Sequence, residues 1–334
     1  MSFVCEKVGS EESAKYAMAG VNDFIRIRNS QPNDLISEKL SPPGYHFMHA
    51  NLQNSAEEVK KFKVRKDDVW VVSFPKCGTT WTQEMVWQIC NNLDYEKGNT
   101  IPLHHRYTYF DIGTYAPERA NFDSIDAMPS PRLFKSHFPA PLLPYDIWTV
   151  KSKIIYVARN IKDVVVSFYH HFTGHKESQR TMLDILDNFL ADCVLFSPYD
   201  SHIIDFWNMR NDENILFLAY EEMKKDLKDV IKRTADFLGK SYNDEEISAL
   251  VEHLSFDKMS KNEATNRINE IKGYHKIMKT EMAENFKFIR KGKVGSYREE
   301  MTQEMAERCD TWIRERLEKN KIDPEVLDIF IPFK

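Results

Sequence analysis

The sequence predicts an α/β fold, in which a central, mainly parallel β-sheet is flanked by helices on both faces. Short, continuously apolar runs such as residues 69–74 and 153–158 match strands that are buried on both faces, as the strands of parallel sheets are. Segments with a helical spacing of apolar residues lie between these runs. Strands that alternate with helices in this way are typical of a parallel sheet with helical layers on both sides.

The predicted elements follow one another along the chain. The first strand, residues 69–74, is followed by a six-residue loop and then by a helix over residues 81–93. Three later strands are predicted over residues 132–135, 153–158 and 214–220, and further helices over residues 161–172, 183–196, 222–238, 244–253 and 302–318.

No break in composition divides the chain, so we predict a single α/β domain over residues 46–334. Residues 1–60 show no clean apolar period, and we assign residues 1–45 to an N-terminal extension. Residues 174–198 and 261–287 are predicted to be long surface excursions, where lids and specificity loops usually lie.

The charge balance and the cysteines exclude several classes of protein. The 334 residues carry a formal net charge of −5, which argues against nucleic acid or an anionic membrane surface as a partner. Without a signal-peptide core or a transmembrane stretch, we expect a cytoplasmic protein with no membrane insertion. The five cysteines are scattered and form no C-x-x-C pair, which favours reduced thiols over disulfides or a zinc site.

The loop after the first strand has the composition of an anion site. Residues 75–80 connect a buried strand to a helix, where backbone N–H groups and the positive helix end converge. Gly78 allows close approach of the backbone, Thr79 and Thr80 offer hydroxyl donors, and Lys76 supplies a positive charge. The order differs from a Walker A sequence, in which the lysine follows the last glycine. Taken alone, such a cluster is equally compatible with ordinary turn chemistry.

Three segments together resemble one enzyme family. Residues 74–81, Phe-Pro-Lys-Cys-Gly-Thr-Thr-Trp, resemble the 5′-phosphosulfate loop of the cytosolic sulfotransferases, usually Tyr-Pro-Lys-Ser-Gly-Thr-Thr-Trp. Residues 156–167 resemble the family's 3′-phosphate segment, and residues 288–295 resemble its C-terminal Arg-Lys-Gly element. The resemblance implies a sulfotransferase with a P-loop-like strand-loop-helix phosphate site. The implied donor is 3′-phosphoadenosine 5′-phosphosulfate (PAPS), which leaves as 3′-phosphoadenosine 5′-phosphate (PAP).

A second anion site is expected for the 3′-phosphate of this donor. Arg159 at a strand end and Ser167 in the next helix can converge at the carboxyl edge of a parallel sheet, and the resemblance implies that both bind the 3′-phosphate. Arg290, Lys291 and Gly292 add two cations and a backbone N–H within three residues. In isolation these three residues are also compatible with a solvated turn.

The resemblance also implies contacts for the rest of the nucleotide. Aromatic side chains supply flat stacking surface for adenine, and Trp81, Tyr220 and Phe256 stand at the matching positions. The remaining donor contacts implied by the resemblance come from the loop residues Lys76, Cys77, Gly78, Thr79 and Thr80.

His137 is predicted to be the general base. It follows a strand in the context Lys-Ser-His, which resembles the family's Lys-Thr-His. Its ordinary pKa, about 6.5, lets imidazole accept a proton near pH 7. The resemblance implies that Lys76 stabilises the leaving phosphate, that Lys135 assists at the sulfuryl oxygens and that Ser167 restrains Lys76. By analogy with phosphoryl transfer we expect an in-line displacement, and we expect no metal ion.

The acceptor is expected to be a small lipophilic compound with a hydroxyl group, such as a phenol or a steroid-like alcohol. Phe138, Tyr169 and Phe172 lie beside the catalytic segments and can line an apolar pocket. The histidine pairs 104–105 and 170–171 lack metal-ligand spacing and are compatible with either the pocket or the surface. The extension over residues 1–45 is expected to contribute to the acceptor side.

The sequence leaves alternatives open. One is an enzyme similar to retinol dehydratase, in which the sulfated alcohol then eliminates to an alkene, and another is a catalytically silent, nucleotide-binding regulatory protein. A homodimer also stays open, because the family's dimer motif is only partly present and Gln303 stands at its Val position. Cys77 replaces the usual Ser, and a thiol beside Lys76 is sensitive to oxidation if it ionises.

Overall fold

Two β-sheets organise the part of the chain that the computed structural model describes, which comprises residues 2–10, 12–13, 23–31, 33–42, 44–115, 122–175 and 180–331. The first sheet is antiparallel and N-terminal, and the second is parallel and central. The strands are β1 (Phe3–Lys7), β2 (Phe24–Asn29), β3 (His46–His49), β4 (Val69–Val72), β5 (Thr108–Tyr109), β6 (Leu133–Ser136), β7 (Lys153–Ala158) and β8 (Ile215–Ala219).

The central sheet has the strand order β5-β6-β4-β7-β8, and all of its pairs are parallel. Val72 at the end of β4 is in register with Ser136 of β6 and with Tyr156 of β7. The chain therefore leaves the middle strands at one common edge. The predicted parallel sheet is confirmed.

Helices cover both faces of this sheet. Trp70 and Val72 pack into one core and Val69 and Val71 into the other, because successive strand residues point to opposite faces. No helix of the described residues combines the length and the apolar character needed to cross a membrane. The helices are α1 (Leu52–Lys61), α2 (Thr79–Cys90), α3 (Tyr95–Thr100), α4 (Leu103–Arg106), α5 (Ile112–Tyr115), α6 (Phe122–Asp126), α7 (Tyr145–Val150), α8 (Ile161–Gly174), α9 (Met182–Leu190), α10 (Tyr199–Asn208), α11 (Tyr220–Lys225), α12 (Leu227–Phe237), α13 (Asp244–His253), α14 (Phe256–Lys261), α15 (Ile268–Met278), α16 (Gln303–Asn320) and α17 (Leu327–Phe330).

Two predicted helices differ from the observed ones. Over residues 222–238 the structure has α11 and α12, because the Asp226 carboxylate accepts a hydrogen bond from the Asp229 N–H and begins a new helix. Over residues 183–196, α9 ends at Leu190. The chain then joins β3, where the Phe47 N–H donates to the Ser197 carbonyl at 2.9 Å.

The prediction that residues 174–198 form a surface excursion is wrong. Ile185, Leu186, Phe189 and Phe196 are buried in the main core. These apolar residues belong to the covering layer of the sheet, which explains why the segment cannot extend into solvent. Residues 261–287 instead contain α15, which lies along the cavity described below.

The N-terminal sheet was not predicted from the sequence. Ile25 and Ile27 of β2 are completely buried, whereas Arg26 and Arg28 between and after them are partly exposed. This alternation has the period of a half-buried strand and could have revealed it. β3, which lies just beyond residue 45, pairs with β2 and completes the sheet.

Candidate active site

A cavity of about 740 Å³ lies at the carboxyl edge of the parallel sheet. The cavity is lined by residues that follow β4, β7 and β8 and by residues at the end of β6, as expected where parallel strands end together. Segments distant in sequence thus meet around one space. The predicted site residues that line the cavity are Lys76, Gly78, Thr79, Thr80, Trp81, Lys135, His137, Arg159, Ser167, Tyr220, Phe256, Arg290, Lys291 and Gly292.

The loop between β4 and α2 has a backbone that only particular residues adopt easily. Gly78 precedes α2 with φ of 105°, and a Cβ atom added there would lie 2.7 Å from Cδ2 of Tyr220. Glycine is therefore required both by the backbone and by the neighbouring ring. The Thr79 hydroxyl lies 2.6 Å from the hydroxyl of Ser73, which fixes the start of the helix against the end of the strand.

Cys77 is the predicted donor contact that does not line the cavity. Its side chain is completely buried, and its N–H donates to the Phe74 carbonyl at 3.4 Å. Burial raises the pKa of the Cys77 thiol to about 12, so the thiol is protonated at neutral pH. The condition for a redox-sensitive thiolate beside Lys76 is therefore not met.

Arg159 joins the two loops expected to hold the donor. Its guanidinium donates to the Lys76 and Lys293 carbonyls, both at 3.2 Å, and lies 4.2 Å from the centre of the Tyr220 ring. Its Nε atom is buried and has no hydrogen-bond partner among the residues described. A buried donor without a partner is costly, so this site is suited to an additional anionic ligand.

Asp163 holds the C-terminal basic loop against α8. Its carboxylate accepts hydrogen bonds from the Gly295 N–H at 2.7 Å, the Tyr297 N–H at 3.0 Å and the Ser296 hydroxyl at 3.1 Å. One buried carboxylate thus connects the segment of Arg159 with the loop that follows Gly292. Asp163 lies within a segment of family resemblance, but this anchoring role was not predicted.

Arg290 and Lys291 already contact an internal carboxylate. Glu300 accepts hydrogen bonds from Arg290 at 2.8 Å and from Lys291 at 2.7 Å, and it also contacts the His170 ring. Burial alone would raise the pKa of Glu300, but these hydrogen bonds outweigh burial and lower it to about 2. The two predicted phosphate ligands are therefore held in place by a counterion.

The three predicted adenine contacts, Trp81, Tyr220 and Phe256, all line the cavity. The Trp81 and Tyr220 rings pack edge to face with centres 5.5 Å apart. A Cβ atom added to Gly292 would lie 2.4 Å from Cδ2 of Phe256, so this ring lies directly against the basic loop. The Trp81 indole donates to the Leu254 carbonyl at 2.9 Å, which fixes the edge of the slot.

His137 is oriented by hydrogen bonds at the end of β6. Its Nδ1 lies 2.7 Å from the Ser73 carbonyl, and because a carbonyl only accepts, Nδ1 must carry the hydrogen. Nε2 of the neutral ring is then free of hydrogen and can accept a proton. Burial, followed by the charge of Lys135, holds the pKa of His137 well below its usual value. The ring is consequently neutral at pH 7.

Asp111 supports this position and was not predicted. Its carboxylate accepts hydrogen bonds from the His137 N–H at 2.7 Å and from the Ser136 hydroxyl at 2.6 Å. The residue lies two positions after β5, the edge strand that pairs with β6. A lone aspartate gives no sequence signal for such a contact, because only the strand pairing brings it there.

Two lysines lie against aromatic rings in the cavity. Lys76 Nζ is 4.4 Å from the centre of the Phe288 ring, and Lys135 Nζ is 4.0 Å from the centre of the Tyr109 ring. Ring faces attract cations and hold them without neutralising them. Both lysine side chains therefore remain available to an anion.

The same lysines are unusually acidic. Burial lowers the pKa of Lys76 to about 7, and the charge of Arg267 adds to this effect. Burial and Arg267 also lower the pKa of Lys135 to about 7, although Asp111 acts in the opposite direction. Cations that repel one another in a buried space favour an anion between them.

The far side of the cavity contains residues that the sequence did not single out. Arg267 makes a two-point ion pair with Glu270, at 2.8 and 2.6 Å.

Of the aromatic residues predicted for the acceptor pocket, Phe172 lines the cavity, whereas Phe138 and Tyr169 are not among its lining residues. The lining histidines besides His137 are His104, His171 and His175, and none of the described residues of 1–45 lines the cavity.

Among the described residues, no group of three or more histidine, cysteine, aspartate or glutamate side chains is placed to hold a metal ion.

The fold and the cavity correspond to an enzyme that transfers a group from an anionic donor. Residues 66–321 match the sulfotransferase domain. The chain therefore belongs to the sulfotransferase family, whose members use PAPS as the sulfuryl donor.

The chain is similar to sulfotransferases that are named for different acceptors. The chain is 33% identical to luciferin sulfotransferase of Photinus pyralis over 89% of this chain and 83% of that protein. It is 35% identical to amine sulfotransferase of Oryctolagus cuniculus over 78% of this chain and 84% of that protein. Among solved structures, retinol dehydratase in complex with retinol and PAP superposes with a TM-score of 0.81 at 27% identity, over 97% of this chain and 99% of the other.

Proposed function

We propose that the protein transfers the sulfuryl group of PAPS to the hydroxyl of a small lipophilic acceptor, with His137 as the general base. The observation that carries the proposal is the hydrogen bond from His137 Nδ1 to the Ser73 carbonyl, which leaves Nε2 as the proton acceptor. His137 lines the same cavity as Lys76 and Lys135. A base and two cations then surround the position where a hydroxyl would react.

The residues present fit a bisphosphorylated adenosine donor. The loop of Lys76, Gly78, Thr79 and Thr80 would bind its 5′ end, and Arg159 and Ser167 would bind its 3′-phosphate. Two observations support this fit: the Arg159 Nε atom has no hydrogen-bond partner among the described residues, and burial together with the charge of Arg267 lowers the pKa of Lys76 to about 7. When bound, PAPS supplies the sulfuryl group. Additional contacts would come from Arg290, Lys291 and Gly292 and from the aromatic rings of Trp81, Tyr220 and Phe256, whereas the N–H of Cys77 donates to the Phe74 carbonyl.

The side chains that line the cavity would then have separate roles in the transfer. Nε2 of His137 would accept the proton of the hydroxyl, while the Ser73 carbonyl keeps the ring oriented. Lys76 would neutralise charge on the leaving side and Lys135 charge on the sulfuryl oxygens. Ser167 lines the cavity on α8 and would restrain Lys76 before the acceptor arrives.

Residues 1–45 are proposed to support the acceptor side indirectly. The sheet formed by β1, β2 and β3 contacts the cavity wall through the hydrogen bond between Phe47 and Ser197. The neighbouring residue Phe196 lines the cavity. Shortening this sheet would therefore change the acceptor wall and leave the donor loops intact.

The test is transfer from labelled PAPS to a panel of phenols, sterols, lipophilic alcohols and amines, with mass analysis of the products. His137→Ala should retain PAP binding and lose turnover by about 10²–10⁴-fold, the usual contribution of a general base. His105→Ala, which removes an exposed histidine outside the cavity lining, is the matched control and should keep full turnover. Normal turnover of His137→Ala would remove this residue from the mechanism.

A second candidate is sulfation followed by elimination. The superposition on retinol dehydratase over 97% of this chain favours it. The two reactions differ in their products, because transfer alone yields the sulfate ester, whereas elimination yields an alkene and free sulfate. A silent regulatory protein would bind PAP and give neither product, and the presence of both Lys135 and His137 argues against it.

A further inference from the structure

A chain of hydrogen-bonded side chains lies in the wall of the cavity, apart from the donor loops. His175 Nδ1 lies 2.7 Å from His275 Nε2, and His275 Nδ1 lies 2.7 Å from the Thr280 hydroxyl. We call these three residues the histidine chain. It bridges the end of α8 and the helix α15, a hundred residues apart in sequence. His175 lines the cavity, so one end of the histidine chain is accessible to an acceptor.

A further histidine extends this polar strip. His171 lies one turn before His175, and their rings are perpendicular with centres 4.7 Å apart. His171 also lines the cavity, and its Nδ1 atom is buried without a hydrogen-bond partner among the residues described. Buried polar atoms of proteins are normally hydrogen-bonded, and one that lacks a protein partner beside a cavity is suited to a ligand.

Aromatic rings flank this strip, and the Lys76 and Arg267 cations lie against one of them, Phe288, at 4.4 and 5.0 Å from its centre. The Phe286 ring lies 5.1 Å from the His175 ring, and the Phe288 ring lies 6.0 Å from the His171 ring. Phe172 lines the cavity beside them. Hydrogen-bonding atoms in such a wall fix the orientation of a lipophilic ligand, because the wall itself offers only non-directional contact.

Both histidines in the wall are neutral. Burial and the charge of Lys76 lower the pKa of His171 well below its usual value, and burial and His275 lower the pKa of His175 to about 4. The hydrogen bond between His175 and His275 requires one of its two nitrogens to accept, so at least one of these two rings is neutral. A carboxylate would therefore find no cationic partner in these two rings.

The histidine chain can present either kind of hydrogen-bonding atom. If His175 Nδ1 donates to His275, its Nε2 is an acceptor. If His275 donates instead, the Thr280 hydroxyl donates to His275 Nδ1, and Nε2 of His175 carries the hydrogen. The histidine chain can therefore accept a hydrogen bond from a hydroxyl or donate one to a ketone oxygen.

We propose that the histidine chain and His171 select lipophilic alcohols that carry a second, uncharged oxygen function away from the reacting hydroxyl. This inference rests on the proposed function, since it assumes that the hydroxyl reacts at His137. The reacting hydroxyl and the second oxygen would then anchor the acceptor at two points. Hydrocarbon alcohols of the same size would bind only through apolar contact.

The experiment uses the full chain, PAPS and a series of primary alcohols of one chain length in which a ketone is placed at successive carbons. For the native protein, kcat/KM should peak at one ketone position, about three- to tenfold above the plain alcohol, as expected for one neutral hydrogen bond. His175→Phe should abolish the peak by removing the hydrogen-bonding atoms. His175→Gln, which retains a donor and an acceptor, should keep part of it.

Thr280→Val tests the histidine chain from its far end, because it removes the terminal hydroxyl and leaves both rings in place. It should reduce the ketone peak with little change for the plain alcohol. PAP affinity of all variants should match that of the native protein, and a large loss would show a structural role and overturn the proposal. A flat ketone series in the native protein, or an unchanged peak in His175→Phe, would also overturn it. If no alcohol in the series is sulfated while a compound of the panel named above is, this inference also fails; if neither the series nor the panel yields a product, the proposed function itself fails.

Discussion

The acidity of Lys76 predicts that PAP binding takes up a proton. In the free protein the pKa of this lysine is about 7, so about three-quarters of the molecules carry the neutral amine at pH 7.5. Phosphates have a second pKa of about 6 and are fully charged under these conditions. A doubly charged phosphate beside Lys76 should restore the pKa of the ammonium group towards the ordinary lysine value, which requires an uptake of about 0.8 proton at pH 7.5.

The sign of the pH dependence follows from this shift. Binding favours the protonated lysine, so PAP affinity is greatest below pH 7 and falls as the free lysine loses its proton. From pH 7.5 to pH 8.5 the dissociation constant should rise about eightfold for this single group.

Isothermal titration calorimetry in buffers of different ionisation enthalpy measures the proton uptake directly. Lys76→Arg is the matched control, because arginine keeps the charge and does not titrate in this range. This variant should show no uptake from position 76 and a smaller loss of affinity between pH 7.5 and 8.5 than the native protein, because Lys135, whose pKa is also lowered to about 7, is unchanged. Equal proton uptake in the native protein and in Lys76→Arg would refute the reasoning.

Three further predictions concern the donor site. Arg290→Ala should weaken PAP binding about 10–100-fold, as expected for a lost charge-assisted hydrogen bond, and should change AMP binding little; equal losses measured by titration would contradict a 3′-phosphate site. Asp163→Asn should speed amide exchange at Gly295 and Tyr297, whose N–H groups donate to the Asp163 carboxylate, and should weaken PAP binding about tenfold. Cys77 should react with a thiol reagent at least about 100-fold more slowly in the native protein than in urea, because burial raises the pKa of its thiol; rapid labelling of the native protein, located by mass spectrometry, would exclude the buried position.

Local patterns in the sequence were sufficient for four of the five strands of the central sheet. The strand over residues 153–158 was predicted with its observed bounds, because a short, continuous apolar run is typical of a strand buried on both faces. The loop around Gly78 and the segment around Arg159 each form a continuous run of sequence, and the structure brings both to the cavity. Their common cavity follows from the parallel strands, which end at one edge.

Features formed by distant segments could not be predicted in the same way. Asp111 contacts His137 through the pairing of an edge strand of two residues, too short for a recognisable pattern. His175 and His275 meet only because α15 packs against the end of α8. The strand with Ile25 and Ile27 is different, because its apolar and charged residues alternate in the sequence, and this alternation was sufficient to predict it.

The close contacts of Gly78 with Tyr220 and of Gly292 with Phe256 have a consequence for engineering the protein. In each pair, a methyl group on the glycine would overlap the ring, so the loop and the aromatic residue form one steric unit. A library that varies a glycine samples collisions with the ring and, because φ is 105° at Gly78 and 60° at Gly292, a strained backbone as well. Altering the nucleotide preference therefore calls for keeping both glycines and varying the residues around the two rings.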